Sequence, residues 1–322
     1  MSTNRFLSSG TMALCGVAAI AAAGHQQPTF RGGRDAVRVF VTVTDRDGRL
    51  ATKLAKDNFE VRDDGKPQPI TYFDNSPQPV RLIVMLDVSG SMEGNLALLR
   101  ASAGQLFTRM AAEDVARVGT FGREVTISPS FTRDANELRA ALPSRIDPEA
   151  PTPLWRAIDQ AMDALGDAPL ADDRRKVILV LSDGKDTGAT GPLSFRTRPA
   201  SQAEVIDRAR RDDVMIYGIG MRSRGRQQMP GGPPDLRSMM LADMPDPGLA
   251  RVSEETGGGY AEIRQGEDLG YAFEGVLDEL HTQYLLAFAP PKRDGKVHDI
   301  SVRITPGPVK ARARKSYVAP KD

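Results

Sequence analysis

The sequence predicts an α/β fold, a doubly wound and mostly parallel (Rossmann-like) sheet inserted into a small, discontinuous β-sandwich. Three observations lead there. Between Arg81 and His281, continuous apolar runs alternate with segments whose apolar residues recur every three or four positions. That is the signature of buried parallel strands joined by amphipathic helices. On either side of this stretch the apolar residues alternate singly, as in half-buried strands. Each flank holds too few strands to bury a core alone, so the two flanks are expected to pair into one β-domain.

The N-terminus reads as an address. Met1 to Ala23 carries one charge, Arg5, and Met12 to Ala23 is an unbroken run of apolar and small residues. The run is shorter than the roughly 20 residues needed to cross a bilayer. It suits the apolar core of a secretory signal, with Ala21-Ala22-Ala23 as the cleavage site. The expected divisions are a signal peptide at 1–23, a linker at 24–34, a first β-sandwich part at 35–80, the α/β domain at 81–281 and a second β-sandwich part at 282–319. Cleavage would remove the sole Cys, Cys15, and the one charge by which 43 Lys and Arg exceed 42 Asp and Glu. The mature chain is expected to be exported to a periplasm or the extracellular space, with no further membrane span.

Composition excludes several function classes. There is no basic excess of the kind that nucleic-acid binding needs. There are no Cys pairs for a disulfide framework. His25, His281 and His298 are scattered singly, unlike the ligands of an ordinary zinc site.

The elements follow in order. Ala36 to Thr44 alternates as a strand, and Asp47-Gly48 is a turn signal. Asn58 to Arg62 alternates again, Asp64-Gly65 marks a second turn, and Pro69 to Phe73 is a further short strand. The Asp residues beside these glycines could form a calcium loop, but turn chemistry accounts for them better. Leu82 to Leu86 is the first buried strand. Leu96, Leu99, Ala103, Leu106 and Met110 mark a helix. Val115–Phe121 is a strand and Val125–Ile127 an antiparallel edge strand. Helices are expected at Asn136–Leu142, Pro153–Leu165, Ala203–Arg211, Leu249–Thr256 and Leu269–His281. Strands are expected at Val177–Leu181, Val214–Ile219, Tyr260–Ile263, Tyr284–Phe288 and Val297–Ile304. Val309 to Tyr317 alternates basic and small residues and is expected to be one strand with a solvated, edge-protecting face.

The chemistry concentrates where the first buried strand ends. Asp87-Val-Ser-Gly-Ser91 offers a carboxylate and two hydroxyls at alternate positions. Open α/β sheets bind ligands just beyond the carboxyl ends of their strands, where strand order reverses. The α/β order brings two further oxygen donors to the same edge, Asp183 in Leu181-Ser-Asp-Gly184 and Thr152 in Ala150-Pro-Thr-Pro-Leu154. These are hard ligands, suited to magnesium or manganese. Each also has a structural role open to it. Thr152 before Pro153 and Ser91 are good helix caps, and Asp183-Gly184 is a turn.

Together these residues resemble the metal-ion-dependent adhesion site (MIDAS) of von Willebrand factor type A domains, and Arg81 to His281 resembles that domain in its order of elements. Phe59 to Gln68, Gln283 to Phe288 and Lys310 to Pro320 resemble the flanks of the secreted von Willebrand A-related Acidobacterial domain family. The resemblance implies that Ser89 and Ser91 bind a divalent cation directly. It implies that Thr152 does so in the ligand-bound state, and that Asp87 and Asp183 act mainly through water. The cation would be Mg2+, with Mn2+ or Ca2+ as alternatives. The implied partner is a protein presenting an Asp or Glu carboxylate as the last ligand. One departure is that prolines flank Thr152 where a glycine often precedes it, which stiffens the loop.

Two other readings compete with adhesion. A haloacid-dehalogenase-type phosphatase needs a second Asp two residues after the first, and here that position is Ser89. No Gly-x-Ser-x-Gly elbow, His-Glu-x-x-His or phosphate loop occurs, so the chain is expected not to be an enzyme. The other reading is a structural domain whose metal merely ties loops together. Long connections at Gly184–Ala200 and Met221–Gly248 leave strands on the metal's side and are expected to form a partner-selecting rim, with a contact helix near Leu236–Met244.

Overall fold

A computed structural model describes residues 36–166, 173–183, 186–188, 200–222, 246–263, 269–305 and 307–321. The expected leader and linker lie outside the described residues. So do most of both long connections, including the expected helix near Leu236–Met244.

The chain begins with β1 (Val37–Thr44), β2 (Phe59–Asp63), β3 (Lys66–Gln68) and β4 (Tyr72–Asp74). Asp64 and Gly65 have φ of 47° and 78°. Left-handed backbone at both positions is what a two-residue type I′ hairpin turn requires, and this turn joins β2 to β3. The one strand expected at Pro69–Phe73 is therefore displaced into two. β3 ends at Gln68, immediately before Pro69, which has no N–H for the ladder. β4 then pairs with β11 (Tyr284–Phe288) in the other sheet.

The α/β part is built on six strands, β5 (Val80–Asp87), β6 (Val115–Phe121), β7 (Val125–Ile127), β8 (Arg175–Ser182), β9 (Val214–Met221) and β10 (Tyr260–Ile263). Their order is β10-β9-β8-β5-β6-β7, all parallel except β7. Every residue of β5 is buried, because both faces of the sheet are covered. Leu82, Val84 and Leu86 pack with α1 (Leu96–Arg109), α2 (Ala135–Ala140) and α6 (Leu269–Thr282). Ile83 and Met85 point the other way, toward α3 (Leu154–Gly166), α4 (Gln202–Asp212) and α5 (Pro247–Thr256). The alternation is the two-residue period of the strand meeting two helical layers. Local chemistry sets the helix starts. Ser201 and Glu204 form a reciprocal capping box for α4, and Asp246 caps α5 ahead of Pro247.

After α6 the chain returns to antiparallel strands β11, β12 (Val297–Ile304), β13 (Lys310–Arg312) and β14 (Ser316–Val318). Two four-stranded sheets result, β13-β1-β11-β4 and β14-β12-β2-β3. Each takes two strands from before the α/β part and two from after it. Val39, Val41, Phe59, Val61, Tyr284, Phe288, Ile300 and Tyr317 fill the core of these sheets. The basic run expected as one solvated strand is split between the two sheets. Its cations are not simply solvated. Arg312 pairs with Glu279, Arg314 with Asp213 at 2.7 Å and Lys315 with Glu254 at 2.8 Å. The alternation thus encodes ion pairs to the α/β part.

These contacts lie at the amino edge of the six-stranded sheet. Arg38 of β1 pairs with Asp213, just before β9, at 3.1 Å. Arg175 opens β8, donates to the Gln283 side chain and to the Leu280 carbonyl, and stacks 4.6 Å from the centre of the Phe40 ring. The carboxyl edge is the opposite one. No helix among the described residues is long and apolar enough to cross a membrane.

Candidate metal centre

The connection from β5 through α1 to β6 runs to one side of β5, while β8 lies on the other. The strand order therefore reverses at β5, and a crevice opens between the carboxyl ends of β5 and β8. Asp87 is the last residue of β5, Ser182 is the last of β8, and Asp183 follows it directly.

The backbone turns sharply after Asp87. The Ser89 N–H donates to Asp87 Oδ1 at 2.9 Å, and Gly90–Met92 form a single 3-10 turn. Gly90 is required there, because a Cβ would sit 2.1 Å from the Pro148 carbonyl oxygen. That close approach docks the segment before Thr152 onto this loop. The Asp147 N–H donating to the Val88 carbonyl at 3.1 Å holds it there.

Four of the five expected residues form one hydrogen-bonded group. Ser182 donates its hydroxyl to Asp87 Oδ2 at 2.6 Å. Ser89 and Ser91 hydroxyls lie 3.1 Å apart, and Ser91 donates to Asp183 Oδ1 at 2.6 Å. Asp87, Ser89 and Asp183 are buried, while Ser91 is exposed. Thr152 is buried too, and it is bonded to the loop that follows β8. Its N–H donates to Thr187 Oγ1 at 2.8 Å, and its carbonyl accepts from the Thr187 N–H at 3.0 Å. Among the described residues, no hydrogen bond links its hydroxyl to the other four. Ser91 does not cap a helix, since the residue preceding α1 is Asn95.

The electrostatics of the group are unbalanced. Burial raises the pKa of Asp87 despite the hydrogen bonds from Ser182 and Ser89. Burial, reinforced by the Asp87 charge, pushes Asp183 up to about 6 against the Ser91 hydrogen bond. Asp183 Oδ2 is buried with no hydrogen-bond partner among the described residues. No cationic side chain is a partner of either carboxylate among the described residues. A buried carboxylate oxygen in that position is costly unless something charged meets it. The donor set of hydroxyl and carboxylate oxygens fits a hard divalent cation.

Sequence reasoning missed three neighbours. Ser182 is the donor that orients Asp87. Asp186 accepts from the N–H groups of Trp155 at 3.4 Å and Gly188 at 3.2 Å, and its own N–H donates to Asp246 Oδ2 at 3.0 Å. Burial raises the Asp186 pKa, and the Asp246 charge adds to this. Asp186 and Asp246 tie the loop after β8 to the starts of α3 and α5. Ser182 adjoins Asp183, a legible signal. Asp246 is distant in sequence and gave none.

Residues 82–185 match the model of the von Willebrand factor type A domain. Over that segment, which lies within the mixed α/β part described above, the chain is similar to a von Willebrand factor type A domain. The chain is similar to solved structures at low identity. One is an aerotolerance-related membrane protein from Bacteroides fragilis, at 15% identity over 62% of this chain and 98% of that one, TM-score 0.44. Another is the vWF domain of the type V pili tip protein Mfa5 from Porphyromonas gingivalis, at 13% identity over 63% and 95%, TM-score 0.44. A third is proximal thread matrix protein 1 from the mussel byssus with a zinc-occupied MIDAS motif, at 14% identity over 68% and 49%, TM-score 0.40. No curated protein matches the chain.

Proposed function

We propose that this protein is an exported, metal-dependent binding module, which captures an acidic side chain of a protein partner through a divalent cation held by Asp87, Ser89, Ser91, Thr152 and Asp183. The observation that carries this reading is the orphaned Asp183 Oδ2, buried near a second carboxylate with no cation among their described partners. Hydroxyl ligands leave much of a bound cation's charge unneutralised. The proposed cation is Mg2+, with Mn2+ and Ca2+ as alternatives. Such a cation would supply a coordination position for an external carboxylate.

This chain's own residues do the rest. Ser182 and the Ser89 N–H orient Asp87. Ser91 links the β5 loop to Asp183. The Thr152 N–H bond to the Thr187 hydroxyl and the Thr187 N–H bond to the Thr152 carbonyl hold the third loop alongside. Ser91, the exposed member, marks the side from which a partner approaches. His281 lies on Asp114 at the opposite edge of the sheet and His298 lies in β12, so neither supplies an acid or base here. That favours binding over catalysis. The leader at 1–23, periplasmic or extracellular placement, the domain divisions given above and a partner-selecting rim from 184–200 and 221–248 belong to the same proposal.

The test is a pull-down of partners from cell-envelope extracts by the purified protein. Capture in Mg2+, release by EDTA and loss of capture in Ser89→Ala are expected. Capture that survives both EDTA and Ser89→Ala contradicts the reading.

A further inference from the structure

A second group of acidic side chains converges in the antiparallel sheets, on the hairpin turn after β2. Asp63 closes β2 and Asp64 begins the turn. His298, near the start of β12, faces both. Its Nδ1 lies 2.9 Å from Asp64 Oδ2 and 3.3 Å from Asp63 Oδ1, and its Nε2 lies 3.1 Å from Asp294 Oδ1. Each of the first two carboxylates has its other oxygen engaged elsewhere. Tyr317 donates its hydroxyl to Asp63 Oδ2 at 2.7 Å, and the Asp299 N–H donates to Asp64 Oδ1 at 3.1 Å. What remains are Asp63 Oδ1, Asp64 Oδ2 and His298 Nδ1, all within 4.8 Å of one another.

One imidazole N–H does not satisfy two carboxylates. The nearer, Asp64, takes it, and Asp63 Oδ1 is left buried without a hydrogen-bond partner among the described residues. Asp63 and His298 are only 2% and 3% exposed, and Asp63 Oδ1 itself is buried, with Asp64 on the solvent side of the group. Even a protonated His298 is outnumbered by the three carboxylates, and Lys292 and Lys296 act on the outer two, Asp64 and Asp294.

We propose that Asp63 Oδ1, Asp64 Oδ2 and His298 Nδ1 bind a first-row divalent cation, zinc in particular, as a second metal site separate from the one at the carboxyl edge of the six-stranded sheet. The 2.9 and 3.3 Å separations are close to the roughly 3.3 Å between neighbouring ligands of a tetrahedral ion with bonds near 2.0 Å. Asp294 is placed to accept the Nε2 proton, which fixes the tautomer and leaves the Nδ1 lone pair for metal. Tyr317 fixes Asp63 in the same way. One nitrogen and two carboxylate oxygens suit zinc or manganese better than calcium, which takes oxygen ligands throughout. Three protein ligands leave a fourth position to water, reached past the exposed Asp64. The Asp64-Gly65 turn is thus both a hairpin turn and a ligand carrier. The site would clamp strands from the two flanks of the α/β part, which lie 234 residues apart between Asp64 and His298.

The test is a calorimetric zinc titration of the full chain after chelator treatment, with magnesium in excess to fill the other site. Wild type is expected to bind one equivalent of zinc and to melt at a higher temperature with it. Asp64→Asn should weaken binding tenfold or more, and Asp294→Asn by about 10–100-fold. Asn tolerates the left-handed backbone at position 64, so the first variant keeps its turn. His298→Gln should abolish binding. If that variant fails to fold, Asp64→Asn decides alone. Absence of zinc binding in wild type, or unchanged affinity in Asp64→Asn, overturns the proposal and leaves an imidazolium clamp.

Discussion

The two edges of the six-stranded sheet treat their carboxylates in opposite ways. At the amino edge, Asp114 is fully buried, yet its pKa lies below the ordinary value. Burial is outweighed there by His281 at 2.8 Å and by the N–H groups of Val80 and Ala111. Asp213, only partly buried, is likewise held low by Arg314 and Arg38. At the carboxyl edge Asp87 is equally buried, but burial wins, as it does at Asp183. The same low-polarity setting thus gives opposite shifts according to what faces the carboxylate. Where the sheet meets the antiparallel strands, charge is balanced within the fold. Where it meets its own open loops, charge is left for something outside the chain to balance. An imbalance of that kind is a mark of function rather than of stability.

Breaking the balanced edge should have the largest effect. Asp114→Ala strands two backbone N–H groups and removes the partner of His281. It should cost about 3–5 kcal/mol in urea denaturation while leaving Mg2+ affinity unchanged. Asp114 contributes its stability above its unfolded pKa and loses it as pH falls through the lower folded value. A loss under about 1 kcal/mol would place it among ordinary exposed pairs and erase the contrast.

The unbalanced edge should respond with the opposite sign. Asp183 has a folded pKa of about 6 against an ordinary value of 3.8, so the folded state binds more protons. The metal-free protein should therefore gain stability as pH falls from about 6 toward about 4. The shift corresponds to a penalty on the order of 3 kcal/mol at neutral pH. Asp183→Asn should remove the penalty and flatten this part of the profile. Saturating Mg2+ should also flatten it in wild type. Chemical denaturation across this pH window in the presence of EDTA checks both. A metal-free profile that rises toward neutral pH in wild type as in Asp183→Asn would contradict the account.

Much of this contrast was legible in the sequence. The run Leu82–Leu86 has no polar interruption, and a strand reading so must be buried on both faces. β6, β7, β10, β11 and β12 match their expected limits residue for residue. The helices begin and end within two residues of their periodic apolar positions. The sequence also placed Asp87 and Asp183 at strand ends. The features that escaped depend on contacts far along the chain. Ser182 reads as a strand residue until β8 is seen beside β5. Arg312 and Arg314 read as solvated until Glu279 and Asp213 are placed opposite them. His298 reads as a lone histidine until β12 is laid against β2 and brings it to Asp63. Alternation along a strand shows which face is buried, but not which partner waits there.

Trp155 gives a direct report on the carboxyl edge. It is 7% exposed at the start of α3, its N–H donates to Asp186, and Gly248 lies against its ring. A titration of metal-stripped protein with Mg2+ or Mn2+, followed by calorimetry and by Trp155 fluorescence, tests most directly whether a cation binds among Asp87, Ser89, Ser91, Thr152 and Asp183. Saturable heat and a change in emission are expected in wild type, and both should vanish in Asp87→Ala. Wild type showing neither, or Asp87→Ala retaining both, would contradict the claim.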